Sequence, residues 1–84
     1  MPYRVLIKRK AQRQLDKIRQ EDRERIIGTV FGLGDEPRPR GSQRLQGRSG
    51  YRLRVGDYRA IYVIDEAERA VIVLQVGHRR DVYR

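Results

Sequence analysis

Three arginines fall within eight residues of one another: Arg52, Arg54 and Arg59, in the stretch "GYRLRVGDYRAIYVID" (50–65). The chain's last stretch, "GHRRDVYR" (77–84), adds His78, Arg79, Arg80 and Tyr83. A guanidinium is a planar, permanently charged fork that matches the geometry of a phosphate. Histidine titrates near neutrality by default and can serve as acid or base. Tyrosine can stack on a nucleobase or donate a proton. Together these side chains suit phosphodiester cleavage without a metal. RNA supplies its own nucleophile for that reaction, the 2′-hydroxyl. The protein then contributes a base near the hydroxyl, positive charge at the phosphate, an acid at the leaving oxygen and a surface for a splayed base. Arginine scarcely deprotonates, so the base is the one requirement this set does not meet cleanly. Each residue also has a plainer role: arginine stems cover apolar surface, a lone histidine packs, and a terminal tyrosine caps a core edge. For three arginines on one face, phosphate is the better explanation.

That they share a face follows from the pattern around them. "YRLRV" (51–55) alternates, with Tyr51, Leu53 and Val55 on one side and Arg52 and Arg54 on the other. Gly56-Asp57 is a two-residue hairpin turn of type II′ or I′, and such a turn dictates register. Val55 then opposes Tyr58, Arg54 opposes Arg59, Leu53 opposes Ala60, Arg52 opposes Ile61 and Tyr51 opposes Tyr62. Opposed residues share a face. One face therefore carries Tyr51, Leu53, Val55, Tyr58, Ala60 and Tyr62, and the other carries the three arginines. Arg54 directly opposite Arg59 is a like-charge pair, which costs stability until an anion offsets it.

The remaining elements must support this hairpin. "YRVLI" (3–7) reads as a first strand. Ala11, Leu15 and Ile18 mark one face of a helix over about 9–19. "RQEDRE" (19–24) is a polar junction before a second helix carrying Ile26, Ile27, Val30, Phe31 and Leu33, which Gly34 and Pro37 stop. Residues 34–50 form a loop rich in Gly, Pro, Arg and Ser, anchored by Leu45. "AVIVLQV" (70–76) is a near-continuous apolar strand. Because the preceding "DEAERA" connection has no unique length, the face taken by Gln75 stays open. The order is β-α-α-β-β-β. The expected fold is a small α+β domain over 1–84, with a two-helix hairpin on one face of a four-stranded, mostly antiparallel sheet.

Size and composition narrow the function further. In 84 residues a site lies on a face or in a shallow groove, since so small a domain encloses little. No cysteine is present, so disulfides and thiolate metal sites are excluded; a single histidine excludes a multi-histidine metal site. No metal or cofactor is expected. The apolar run near the N-terminus is too short for a signal peptide or a membrane span, so the expected compartment is the cytoplasm. Lys and Arg number 20 against 11 Asp and Glu, a net charge of +9. A basic surplus of this size points to nucleic acid. Lys8, Lys10, Arg44, Arg48 and Arg80 are the further candidates for RNA contact.

The chain resembles the RelE/ParE toxin superfamily, and within it the RelE-type mRNA interferases. The resemblance runs over "YRVLIKRKAQRQLDKI", the "RLQG" loop, "GYRLRVGDYRAIYVID" and "VGHRRDVYR". It implies the toxin of a toxin–antitoxin pair, cutting mRNA in the A site of the 70S ribosome. It also implies a RelB-like antitoxin, with the free toxin a monomer that forms a hetero-oligomer with it. By the same resemblance Arg52 and Arg54 fall on basic positions of the first hairpin strand. Arg59 and Arg79 act on phosphate and transition-state charge, and Tyr83 on base stacking. Position 54 is an arginine where the best-known members place a lysine able to act as base, which leaves His78 as the candidate helper. The ParE branch implies a different activity on the same fold, inhibition of DNA gyrase without RNA cleavage.

Overall fold

A computed structural model of the chain describes residues 2–80. The elements run β1 (Arg4–Ile7), α1 (Arg9–Asp16), α2 (Gln20–Gly32), β2 (Ser42–Arg44), β3 (Tyr51–Val55), β4 (Tyr58–Asp65) and β5 (Ala70–His78). They build one sheet in the order β1-β5-β4-β3-β2. β1 lies parallel to β5 and the other pairings are antiparallel. The expected α+β arrangement holds, with one correction: the sheet has five strands, because Ser42–Arg44 pairs with β3 inside what reads as a loop.

Both helices cover the same face. Ala11 and Leu15, one turn apart on α1, are buried, as are Ile26 and Val30 on α2 and Leu33 just beyond it. They pack on Leu53, Val55, Ala60, Tyr62, Val71, Val73 and Val76. Each such aliphatic side chain contributes about 1.5–3 kcal/mol when fully buried. α1 is shorter than the expected 9–19, ending at Asp16 with the Lys17 N–H turned back to the Gln14 carbonyl and the Ile18 N–H to the Leu15 carbonyl. α2 begins earlier than expected. Gln20–Glu24 is its first turn rather than a junction, and Glu21 and Asp22 there meet the positive end of the helix dipole. Gly34 ends the helical segment where it passes close to the Tyr3 backbone just before β1. A Cβ on it would lie 2.8 Å from the Tyr3 carbonyl, and its own carbonyl accepts the Tyr3 N–H at 2.6 Å.

The β3–β4 register is the expected one at all five positions, from Tyr51 opposite Tyr62 to Val55 opposite Tyr58. Gly56 sits at φ +60° and Asp57 is not left-handed, so the turn is type II′. The other hairpin holds an irregularity. Ile61 opposes Gln75, but Tyr62 opposes Val73, so Leu74 is an extra residue in β5. One inserted residue exchanges the faces of everything after it. Val71 and Val73 point to the helices and so does Val76, while Gln75 and Gly77 fall on the open face. Beyond the end of β1, the Val76 N–H is taken by Gln14 Oε1 of α1 at 2.7 Å, which satisfies the exposed edge of β5 there.

At the sheet end far from the Gly56 turn, a polar cluster fastens the α2–β2 connection. Glu66 accepts from the Tyr3 hydroxyl at 2.6 Å and from Arg38 Nη2 at 2.6 Å. Arg38 Nε also donates to the Tyr51 hydroxyl at 3.0 Å. The Tyr51 ring stacks on Tyr62, whose hydroxyl donates to the Pro37 carbonyl at 2.7 Å. The Tyr3 hydroxyl and then Arg38 hold the Glu66 carboxyl below its usual range. Burial pushes the Tyr62 hydroxyl up.

Candidate nucleic-acid interface

The face of the sheet away from the helices carries the arginines. Arg52 and Arg54 alternate outward on β3, and Arg59 stands directly across from Arg54 on β4. On its other side Arg59 faces Gly77, which places no side chain opposite it. The Arg59 stem can therefore lie down on the sheet. Its Nε is buried and has no hydrogen-bond acceptor among the described residues. Leaving a buried donor unsatisfied costs about 1–3 kcal/mol, and more when the group is charged. Arg54 is exposed and turns its Nε to the Gly56 carbonyl at 3.2 Å. Neither Arg54 nor Arg59 meets a carboxylate among the described residues. Two guanidinium groups thus stand side by side on paired strands, with no carboxylate among the described residues to offset their charge.

Arg52 is held differently. Across the β2–β3 ladder it opposes Gln43. Gln43 Oε1 accepts from Arg52 Nε at 2.9 Å and also from Nη2. Ile61, opposite Arg52 on the other side, is fully buried even though it belongs to this open face. Toward β1 the same face becomes apolar, through Val63, Ile72 and the 44% exposed Leu6. The face therefore grades from a basic half on β3 and β4 to an apolar half on β5 and β1.

The other expected site residues are spread more widely. Arg79 continues the β4–β5 ladder by donating its N–H to the Asp57 carbonyl at 2.9 Å, which brings it beside the Gly56-Asp57 turn. It is exposed, and strand alternation puts it in phase with Gln75 and Gly77. His78 is not brought to the arginines. It opposes Tyr58 on the helix-covered face and meets that ring edge-on, with centroids 5.8 Å apart. The extra residue Leu74 is the reason: without it, alternation from Val73 would turn His78 outward. Arg44 opposes Tyr51, so it too is in phase with the helix-covered side. Lys8 precedes α1 and Lys10 lies in its first turn, at the β1 edge, away from β3 in the sheet order. Arg48 is exposed in the β2–β3 connection, and Arg80 is exposed just after β5, its N–H 3.4 Å from His78 Nδ1. Tyr83 lies outside the described residues.

Three members of the face escape reading from the sequence: Gln43, Gln75 and Gly77. Gln43 lies in a polar segment with no strand pattern of its own. Gln75 and Gly77 need the bulge before their phase is known.

Comparison with known proteins gives this arrangement a family. Residues 5–83 match the family described as the ParE toxin of type II toxin–antitoxin systems, parDE. The chain belongs to that family, and so to the RelE/ParE toxin superfamily. It is 35% identical to toxin RelG of Mycobacterium tuberculosis over 86 residues, covering 100% of this chain and 99% of RelG. Its fold matches a chain of the toxin–antitoxin complex RelBE2 from the same organism, with a TM-score of 0.85 and 32% identity over 94% of this chain and 100% of that one. It also matches a chain of the archaeal RelE–RelB complex of Pyrococcus horikoshii, with a TM-score of 0.80 and 27% identity over 98% of this chain and 100% of that one. The chain is a type II toxin of the RelE/RelG kind.

Proposed function

We propose that this toxin is an endoribonuclease that cuts mRNA in the ribosomal A site by attack of the substrate's own 2′-hydroxyl. The observation that carries the reading is Arg59. Its buried Nε has no acceptor among the described residues, it faces Gly77, and it stands beside Arg54. A scissile phosphate bound there would satisfy the donor and offset the repulsion between the two guanidinium groups. Fixed on paired strands, both are in place for the extra negative charge of the phosphorane, so little reorganisation is needed as that charge develops. Arg52 and Arg79 flank the pair and hold the neighbouring backbone. Tyr83 serves to stack a splayed base. His78 packs against Tyr58, so water in the A site takes the 2′-hydroxyl proton as the O2′–P bond forms and returns one to the 5′-oxygen as the P–O5′ bond breaks. The ribosome completes a site that a shallow sheet face cannot enclose alone. By its similarity to the toxin chains of the RelBE2 and RelE–RelB complexes, the protein pairs with a RelB-like antitoxin.

Primer extension on a translated message, with and without ribosomes, tests the reading. New 5′ ends should appear with the wild type only when ribosomes are present, and should vanish with Arg59→Ala. Intact messages together with loss of gyrase supercoiling would overturn it in favour of a gyrase inhibitor.

A further inference from the structure

The Gly56-Asp57 turn gathers arginines from separate parts of the fold. Arg54 of β3 donates its Nε–H to the Gly56 carbonyl at 3.2 Å. Arg79, just beyond β5, donates its backbone N–H to the Asp57 carbonyl at 2.9 Å. Another comes from the helix layer. Arg25 of α2 reaches the end of the sheet, where a Cβ on Gly56 would lie 3.0 Å from its Nη1. Glycine at 56 therefore serves twice. It takes the φ of +60° that the turn requires, and it leaves room for a guanidinium against the turn.

The acidic groups around Arg25 are engaged elsewhere. On a helix, carboxylates three and four residues earlier are the usual ion-pair partners of an arginine. For Arg25 these are Asp22 and Glu21, and both turn to Arg19 instead, at 3.8 Å and 3.2 Å. Asp57, in the turn itself, makes no ion pair among the described residues. Arg25 is exposed, and among the described residues no carboxylate lies within ion-pair distance of it. Like charges drawn to one turn repel, and an anion placed there relieves the repulsion.

Position fixes which anion. Gly56 is two residues along the strand from Arg54, about 7 Å at the usual rise. Basic side chains thus continue from the Arg54–Arg59 pair on the open face, over the hairpin tip, to α2. A single strand with its scissile phosphate at Arg59 would carry a further phosphate across that tip. We propose that Arg25 binds a backbone phosphate of the message beyond the scissile one, so that the strand is held at the hairpin tip as well as on the open face. This rests on the reading of the open face as the RNA-cleaving surface. A phosphate contact carries no base information, so Arg25 contributes affinity without sequence preference.

The test is the salt dependence of affinity for single-stranded 2′-O-methyl RNAs, which keep their phosphates and cannot be cut, alongside cleavage on ribosomes. Arg25→Gln should lower the slope of log affinity against log salt by about 0.7, one phosphate contact on a single strand, equally for RNAs of different sequence. Its melting temperature should be unchanged. Arg25→Lys should keep the wild-type slope. Arg4→Gln removes the same charge from the opposite end of the sheet and should leave the slope alone. On ribosomes Arg25→Gln should raise KM with kcat retained, as for lost uniform binding. A wild-type slope for Arg25→Gln, an equal loss with Arg4→Gln, or a wild type that does not bind the RNAs would overturn the proposal. So would a loss seen only in binding to ribosomes without message, which would assign the phosphate to ribosomal RNA. A wild type that binds with the Arg25-dependent slope but cuts nothing on ribosomes sinks the nuclease reading and leaves Arg25 in its role. Ribosome-dependent cleavage with a slope that ignores Arg25 does the reverse.

Discussion

The two faces of the sheet differ in how each treats its polar atoms. On the helix-covered face, hydroxyl and amide groups that reach the interior find partners: Tyr62 donates to Pro37, and Gln14 accepts from Val76. On the open face, Arg59 keeps a buried donor without one among the described residues, and Arg54 stands against it with like charge. A satisfied polar group contributes to stability, and an unsatisfied one is held at a cost that the rest of the fold carries. The covered face is thus optimised for folding, and the open face departs from that optimum where a ligand is needed.

Substitutions that separate the two faces test this contrast. The largest effect expected is on activity. Arg59→Ala should lower ribosome-dependent cleavage by about 10²–10³-fold, the range for removing one preorganised oxyanion donor, with the circular-dichroism melt hardly moved. Leu15→Ala should do the reverse. It leaves the arginines untouched but opens a cavity under β5, costing about 2–5 kcal/mol. Out of a total of about 5–15 kcal/mol, that should lower the melting temperature by roughly 10 °C or more. A protein in which Arg59→Ala unfolds, or Leu15→Ala melts like wild type, would erase the distinction between the faces.

Arg54→Gln sharpens the comparison from the other side. Removing one of two opposed like charges should raise stability by a few tenths of a kcal/mol, up to about 1, while cleavage falls. A thermal-shift assay on the free toxin, at low and high salt, should show a gain that shrinks as salt screens the repulsion. Loss of stability in this variant would mean that the pair is not a cost. The smallest effect belongs to the Tyr3–Glu66–Arg38 cluster. The folded-state pKa of Glu66 is depressed, so its contribution is present above the ordinary glutamate value of about 4.3 and is lost as pH falls below it. The gap in melting temperature between wild type and Glu66→Gln should therefore close as pH is lowered through about 4. A gap that is constant with pH would remove the ionised carboxylate from the account.

How much of this the sequence discloses depends on whether a local rule is enough. The β3–β4 register is legible because a two-residue turn leaves one way to pair the strands, and the shared face of Arg52, Arg54 and Arg59 follows from it. The face of His78 is not legible. It depends on Leu74, an extra residue inside an unbroken apolar run where "AVIVLQV" offers no sign of a bulge. β2 is missed for a related reason: Ser42, Gln43 and Arg44 have no strand pattern, and they pair because β3 presents an edge. The ends of α1 and α2 shift because the charged residues at 20–24 are compatible with a helix as well as with a junction, and burial of Ile26 and Val30 decides. Gln43 lies beyond sequence reading twice over, since both its strand and its partner are products of the sheet.

β1 has a single neighbour, β5, and the two are separated by most of the chain. Synthesis runs from the N-terminus at about 5–20 residues per second, so β1 waits roughly 3–15 seconds after it is made before β5 exists to receive it. The helices can form in that interval, but β5, the strand that completes the core and sets Gly77 opposite Arg59, is translated after every other element of the sheet. The ribosome that makes this toxin therefore carries no finished copy of the sheet until residue 78 has been added.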